Sequence, residues 1–320
     1  MTRLSSGVSR RDALKIGLGA GMALTLDRLP AFAELPAPGA QGGPLIQRAI
    51  PSSGEKLPVV GIGTARRYDV GDTPAELAPL RDVLRQFPEM GGRVIDSAPG
   101  YGRAETVVGN LLQELKNRDR YFIATKVSSR GGERAGAIAQ MEESMRRLHT
   151  DHIDLMQVWN VSAPDQLLPL LEEWKAAKKI RYLGVTTGSD NQYAQLETVM
   201  KAHTLDFVQV DLAIDNRNAQ DRIIPLAAER GTAVLIDLPF GRTRVFEKVQ
   251  GRPLPDWAKE IDAASWPQLF LKYIVGNPAV TCVIPGTAKP EYLVDNIGAA
   301  RGHLPDAAMR KHIEQYFDAL

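Results

Sequence analysis

Eight short, strongly apolar runs, each followed by a longer amphipathic stretch, constrain this chain more than any other feature. The runs are 57–64 (LPVVGIGT), 93–96 (RVID), 121–127 (YFIATKV), 153–159 (IDLMQVW), 180–186 (IRYLGVT), 207–212 (FVQVDL), 233–239 (AVLIDLP) and 280–286 (VTCVIPG). Runs this short and apolar are the mark of parallel strands buried on both faces. Between and after them, helical spacing predicts helices over 74–87, 104–116, 133–148, 165–178, 190–202, 217–230, 265–277 and 290–300. Eight strand–helix pairs read as one closed (β/α)8 barrel. An open doubly wound sheet would carry a glycine-rich turn after its first strand, and Gly61-Ile62-Gly63-Thr64 is too short for one. Residues 44–56 predict a hairpin closing the barrel bottom, and 305–318 a terminal helix. No internal repeat is visible.

Composition narrows the function. With 44% hydrophobic and 24% charged residues in 320, the chain can bury a large core. Its net charge is +1, and without residues 1–33 it becomes 34 Lys/Arg against 36 Asp/Glu, or −2. That leaves no electrostatic case for a nucleic-acid partner. Cys282 is the only cysteine, which excludes an internal disulfide or a thiolate cluster. The histidines at 149, 152, 203, 303 and 312 lack ligand spacing, so no metal is expected.

The start of the chain reads as an address. Ser9-Arg10-Arg11-Asp12-Ala13-Leu14-Lys15 is followed by eleven uncharged residues, Ile16 to Leu26, and then by Ala31-Phe32-Ala33. A positive segment, a short apolar run and a small-x-small exit make a cleavable export signal, and the paired arginines point to the twin-arginine route. The apolar run is too short to span a bilayer. The expected layout is a signal over 1–33 cleaved near Ala33, a Pro/Gly/Ala-rich linker over 34–43, and a barrel over 44–320. The export machinery is then a partner, the periplasm the destination, and no stable membrane span remains after cleavage.

In such a barrel, chemistry gathers where strands end. The second run ends at Asp96, followed by Ser97-Ala98-Pro99-Gly100-Tyr101-Gly102 and Glu105, and the third carries Lys126 near its end. Reducing a carbonyl needs a hydride at carbon and a proton at oxygen. A Tyr hydroxyl can give the proton, yet its ordinary pKa of about 10 makes it a weak donor. A lysine ammonium nearby lowers that value, and an aspartate keeps the lysine charged and oriented.

The stretch Asp96-Ser97-Ala98-Pro99-Gly100-Tyr101-Gly102-Arg103-Ala104-Glu105 resembles the D-x-A-x-x-Y-G-x-x-E signature of the aldo/keto reductase family. The resemblance runs from about residue 46 to 300. It includes Leu57–Thr64, Ala124-Thr125-Lys126, Leu183–Thr187, Phe207–Val210, Pro239–Arg242 and Ile284–Asn296. It implies that Tyr101 is the proton donor, Lys126 its pKa-lowering partner and Asp96 the support. It also implies an NADP cofactor, with NAD possible. Gly63 and Thr64 would lie on the cofactor side, and Thr186, Thr187 and Gln209 would face the nicotinamide. Gly241 and Arg242 would lie by the pyrophosphate, and Thr287, Asp295 and Asn296 by the adenosine.

Three positions depart from the family's pattern. In Asp154-Leu155-Met156-Gln157-Val158-Trp159-Asn160, Trp159 stands where the family has an active-site histidine. Indole N–H donates but neither titrates nor accepts, and its bulk narrows the substrate pocket; a register that turns Asn160 inward is the alternative. Asp237 stands where an aromatic often stacks on the nicotinamide. The loop after the last strand, 286–292, has Lys289 as its only cation toward a 2′-phosphate. The resemblance thus implies a reductase of small or planar aldehydes or ketones. Trp159 and Asp237 keep open a cofactor-binding barrel of weak turnover, acting as redox sensor or partner protein.

Overall fold

The computed structural model describes residues 43–129 and 133–320. The expected export signal, and all of the linker but Gly43, lie outside the described residues. The chain first forms an antiparallel hairpin of β1 (Gln47–Ala49) and β2 (Lys56–Pro58). Eight parallel strands follow: β3 (Ile62–Gly63), β4 (Val94–Asp96), β5 (Phe122–Val127), β6 (Ile153–Val158), β7 (Ile180–Thr187), β8 (Phe207–Asp211), β9 (Ala233–Asp237) and β10 (Cys282–Val283). They pair in chain order from β3 to β10. Gly61 N donates to Val283 O at 2.8 Å and Gly63 N to Pro285 O at 3.0 Å, which joins the last strand to the first. The closure needs glycine. A Cβ on Gly63 would lie 2.7 Å from Ile284 O, and one on Gly61 2.9 Å from Val94 O. This is the (β/α)8 barrel that the alternation of runs predicts.

The helices are α1 (Pro74–Glu89), α2 (Ala104–Leu115), α3 (Arg134–Arg147), α4 (Pro164–Ala176), α5 (Tyr193–Ala202), α6 (Ile223–Glu229), α7 (Arg244–Val249), α8 (Trp266–Val275), α9 (Pro290–Gly298) and α10 (Ala307–Asp318). Local chemistry starts several of them. Thr73 accepts from Glu76 N while the Glu76 carboxylate accepts from Thr73 N, a capping box just before Pro74. No helix among the described residues is long and apolar enough to cross a membrane.

Two expectations need correction. Leu57 belongs to the hairpin, paired with Arg48, and not to the first barrel strand. Its side chain fills the barrel floor with Ile50 and Phe122, so the apolar run 57–64 crosses two elements that share one core. The helix expected over 217–230 is continuous only from Ile223, because Arg222 adopts φ −140° and breaks it. Ala219, Ile223 and Ala227 are all buried at helical spacing across that break, which is why the pattern looked unbroken. Between β9 and α8 the chain adds the short helix α7, anchored by buried Val245 and Val249.

Candidate active site

Strand alternation builds the site. Side chains two apart share one face, and on the inward face apolar residues give way to polar ones toward the strand ends. Along β5 the inward residues are Phe122, Ala124 and Lys126; along β6, Leu155 and Gln157; along β8, Phe207, Gln209 and Asp211; along β9, Ala233, Leu235 and Asp237. The intervening residues, among them Ile123, Met156, Val208 and Val234, pack outward in the larger helix-facing core.

Lys126 is the centre of the polar end. It is 1% exposed, and its ammonium donates to Asp96 Oδ1 (2.8 Å), Asp96 Oδ2 (2.7 Å) and Ser97 O (2.8 Å). All three N–H groups therefore have acceptors. Burial works against the ammonium, and Asp96, Tyr101 and Asp237 together outweigh it and hold Lys126 above the usual lysine value. Burial likewise pushes the Asp96 carboxyl upward against the pull of Lys126. Lys126 Nζ lies 5.1 Å from the centroid of the Tyr101 ring. The Tyr101 hydroxyl does not drop as the sequence predicts. Burial raises it, Lys126 pulls it down, and burial is the larger effect. Tyr101 thus keeps its proton at neutral pH, with a fixed cation beside it. Glu105, the last residue of the signature, is buried and accepts from Thr125 Oγ1 (2.6 Å) and Ser144 Oγ (3.2 Å). It ties α2 to β5 and α3 and so sets where Lys126 stands.

A chain of amides crosses the barrel from this pair. Gln157 Nε2 reaches Asp96 Oδ1 at 3.5 Å and donates to Gln209 Oε1 at 3.0 Å; Gln209 Nε2 donates to Asp237 Oδ2 at 3.1 Å. Two acceptors at this end, Gln157 Oε1 and Asp237 Oδ1, are sealed from solvent without a partner among the described residues. Burial pushes the Asp237 carboxyl up to about 7. Sequence reasoning missed Gln157. Its signal was a polar residue on an inward position of an apolar strand, in register with Lys126. Asp211 was also missed; it accepts from Tyr193 O–H (2.9 Å) and Asn216 Nδ2 (2.7 Å).

Trp159 follows β6 and is half-buried, its ring edge-on to Tyr101 with centroids 5.6 Å apart and planes at 89°. Asn160 is exposed, so the indole and not the amide faces Tyr101. A Cβ on Gly100 would come 2.4 Å from the indole, so glycine there lets the ring settle. The segment behind it is strained: Asn160, Val161 and Ala163 have φ of 52°, 51° and 47°. Thr186 Oγ1 accepts from Asn160 N at 3.3 Å, and Gln192 Nε2 and Gln195 Nε2 donate to the carbonyls of Asn160 and Val161.

Next to Asp237 opens a cleft of about 240 Å³, whose lining includes Gly188, Asp211, Leu212, Leu238, Gly241 and Arg242. The structure therefore gathers Asp96, Tyr101, Lys126, Trp159, Gln209 and Asp237 around one mouth, with Gly241 and Arg242 in the adjoining cleft. Thr187 lies nearby, but its hydroxyl is bonded within its own turn, to Gln192. The other predicted cofactor residues are engaged in bonds of the fold. Gly63 serves the barrel closure, and Thr64, fully buried, donates to Asp96 O. Asn296 Nδ2 donates to Thr287 Oγ1, and Asp295 accepts from Ser265 Oγ and Gln268 Nε2, a buried brace at the start of α8. Lys289 is exposed, 4.0 Å from Glu291.

The residues of the mouth fit a nicotinamide. A carboxamide brings N–H donors, and this end of the barrel holds buried acceptors, Gln157 Oε1 and Asp237 Oδ1, that lack one. Gly188 and Gly241 keep the adjoining walls free of side chains, and Arg242 gives the cleft a cationic edge suited to a pyrophosphate, beside an Arg244 already paired with Asp215.

Comparison with known proteins agrees with this geometry. A profile of the aldo/keto reductase family matches residues 59–315. The methylglyoxal reductase YeaE of Escherichia coli is 37% identical over 82% of this chain and 93% of its own. The aldo-keto reductase YhdN of Bacillus subtilis is 29% identical, over 59% of this chain and 60% of that protein's length. In fold, the chain is similar to an aldo-keto reductase from Klebsiella pneumoniae in complex with NADPH, with a TM-score of 0.70 at 22% identity over 86% and 96% of the two chains. With four-fifths of its length under the family profile and the Asp–Tyr–Lys cluster assembled at the barrel mouth, the chain belongs to the aldo/keto reductase family.

Proposed function

We propose that this protein is an NAD(P)H-dependent oxidoreductase that reduces aldehydes or ketones, with Tyr101 as proton donor. The observation that carries the reading is the Lys126 ammonium, clamped by both Asp96 oxygens and set against the Tyr101 ring. The cofactor, when bound, supplies the hydride. Tyr101 donates its O–H to the carbonyl oxygen as negative charge develops there. Lys126 stabilises the phenolate left behind, and Asp96 holds Lys126 in place and charged. Trp159 closes one side of the mouth, excludes bulk water and narrows the substrate to a small or planar carbonyl. NADP is favoured over NAD by family kinship, and Lys289 is the cation that would meet a 2′-phosphate.

YeaE is named a methylglyoxal reductase, which makes a short dicarbonyl the first substrate to test. The experiment is NADPH oxidation by the purified protein against a panel of small aldehydes that includes methylglyoxal. Turnover that needs both NADPH and the aldehyde is the expected result. Nucleotide binding without turnover on any aldehyde would instead favour a sensor or partner role, the reading that Trp159 keeps alive. Trp159→His sharpens the choice. An added donor aimed at developing oxyanion charge can raise the rate by up to about a hundredfold, so a gain over a low background marks a barrel that had lost turnover. A fall marks Trp159 as a specificity wall.

Export is part of the proposal. The Ser-Arg-Arg run before an apolar segment and the Ala31-Phe32-Ala33 exit support twin-arginine transport to the periplasm. Changing Arg10→Lys together with Arg11→Lys should leave the protein unprocessed in the cytoplasm. Wild-type processing of that double variant would sink the route.

A further inference from the structure

The cleft beside Asp237 is electrically two-ended. Asp211 and Asp190 line it on the acidic side, and Asp237, the register partner of Asp211, ends β9 just before the lining residue Leu238. Its outer rim carries Arg242 and Arg244, both exposed, with Arg244 paired to Asp215 at 2.9 Å, so that Arg242 supplies the net positive charge. Asp237 Oδ2 is held by Gln209, whereas Oδ1 is sealed without a partner. The facing wall is bare, for Gly188 has no side chain and a Cβ there would sit 3.6 Å from Asp237 Oδ2. A buried carboxylate oxygen without a hydrogen-bond partner is unfavourable unless a cation or donor meets it.

Resting on the NAD(P)H reading above, we propose that Asp237 is an electrostatic selector that holds the oxidised, cationic nicotinamide ring more tightly than the neutral reduced ring. When the hydride passes to the carbonyl carbon with both electrons of its C–H bond, and Tyr101 supplies the proton, the ring is left with one positive charge. Asp237 meets that charge. By linkage, whatever binds the oxidised form preferentially makes the reduced form a stronger hydride donor in the complex. The carboxylate thus does by charge what a stacked aromatic cannot, and the acidic inner wall with its basic rim matches a dinucleotide that is cationic at one end and anionic at the pyrophosphate.

Selection must then follow the ionisation of Asp237. The groups facing it are Asp211 from β8, itself acted on by Tyr193 of α5 and by Arg242; Asp96 and Lys126 from β4 and β5; and Tyr101 from the loop after β4. Burial raises its carboxyl to about 7, Gln209 and Lys126 oppose the rise, and Asp211 and Asp96 add to it. It is therefore ionised in mild base and mostly protonated in mild acid.

The test is to titrate the purified full chain separately with NADP+ and with NADPH, following tryptophan fluorescence, at about pH 8.5 and about pH 6. The 2′-phosphate titrates in both forms and cancels in the ratio of their affinities. At the higher pH, wild type should favour NADP+ by a factor about tenfold larger than Asp237→Asn does, the scale for opposite unit charges in a partly desolvated site. At the lower pH the two ratios should converge to within about twofold. If Asp237→Asn does not fold, a wild-type ratio that shifts toward NADP+ with rising pH supports the proposal and a constant one overturns it. A ratio unchanged by the substitution at the higher pH overturns the selector role and leaves the cofactor reading intact. Wild type that binds neither form at millimolar concentration overturns both.

Discussion

At the floor of the barrel, Phe122, Tyr182 and Phe207 stack and tilt against one another with ring centroids 5.7 to 5.9 Å apart. At the mouth, two or four residues further along the same strands, stand Lys126, Gln209 and Asp211. The floor is sealed by the hairpin through Ile50 and Leu57, and the Tyr182 hydroxyl points outward, donating to Glu55 and accepting from Ser53. The mouth carries buried charge, orphan acceptors and backbone strain. Of the eleven described non-glycine residues at positive φ, six lie in its two loops: Asn160, Val161, Ala163, Leu238, Arg242 and Thr243. The hairpin has none; its positive φ falls on Gly54. One set of strands thus divides labour along its length. Apolar burial at one end stabilises the fold, and the other end holds an arrangement that burial alone would reject.

The largest effect should come from breaking the floor. Phe207→Ala removes a fully buried ring shared by two aromatic neighbours and should destabilise by about 3–5 kcal/mol. Nucleotide affinity measured well below the lowered melting temperature should stay near wild type. A large loss of affinity there would mean that the two ends are not independent.

Tyr101→Phe tests the mouth in the opposite sense. Carbonyl reduction should fall at least about a hundredfold, with melting temperature and nucleotide affinity nearly unchanged. Unchanged turnover would remove Tyr101 from the donor role.

Asp237 should reveal the mouth's cost to folding. Its folded pKa, about 7, lies above its unfolded value, so the native state binds more protons between roughly pH 4 and pH 7. That contribution to stability is present in full below about pH 4 and is lost as pH rises through 7. Asp237→Asn should therefore stabilise the apoprotein on the order of 2 kcal/mol at pH 8, with the gain gone near pH 4. Denaturant melts at both pH values check this, and a loss at pH 8 would show that Asp237 supports the fold.

The smallest effect is relief of loop strain. Ala163→Gly, at φ 47°, should raise stability by about 1 kcal/mol. Any fall in turnover would show that the strained loop is what holds Trp159 against Tyr101.

Much of this was legible from local pattern. Eight apolar runs with helical spacing between them leave a chain few ways to bury both strand faces, and the closed barrel is the one that needs no exposed edge. Asp96, Tyr101 and Lys126 could be placed together because strand ends converge at one mouth, whatever the details of the loops. Period-two alternation also fixes which way each side chain points, so Gln157 and Asp237 were bound to face inward. Their partners were another matter. That Gln157 bridges Asp96 to Gln209, that Leu57 leaves its run to plug the floor, and that Thr287, Asp295 and Asn296 brace one another all depend on lateral register and loop path. So does the direction of the Tyr101 shift, where burial exceeds the pull of Lys126. Neighbouring residues set periodicity, because backbone geometry is local; distances between strands and the depth of burial come from contacts far apart in the chain, and only the closed barrel brings those together.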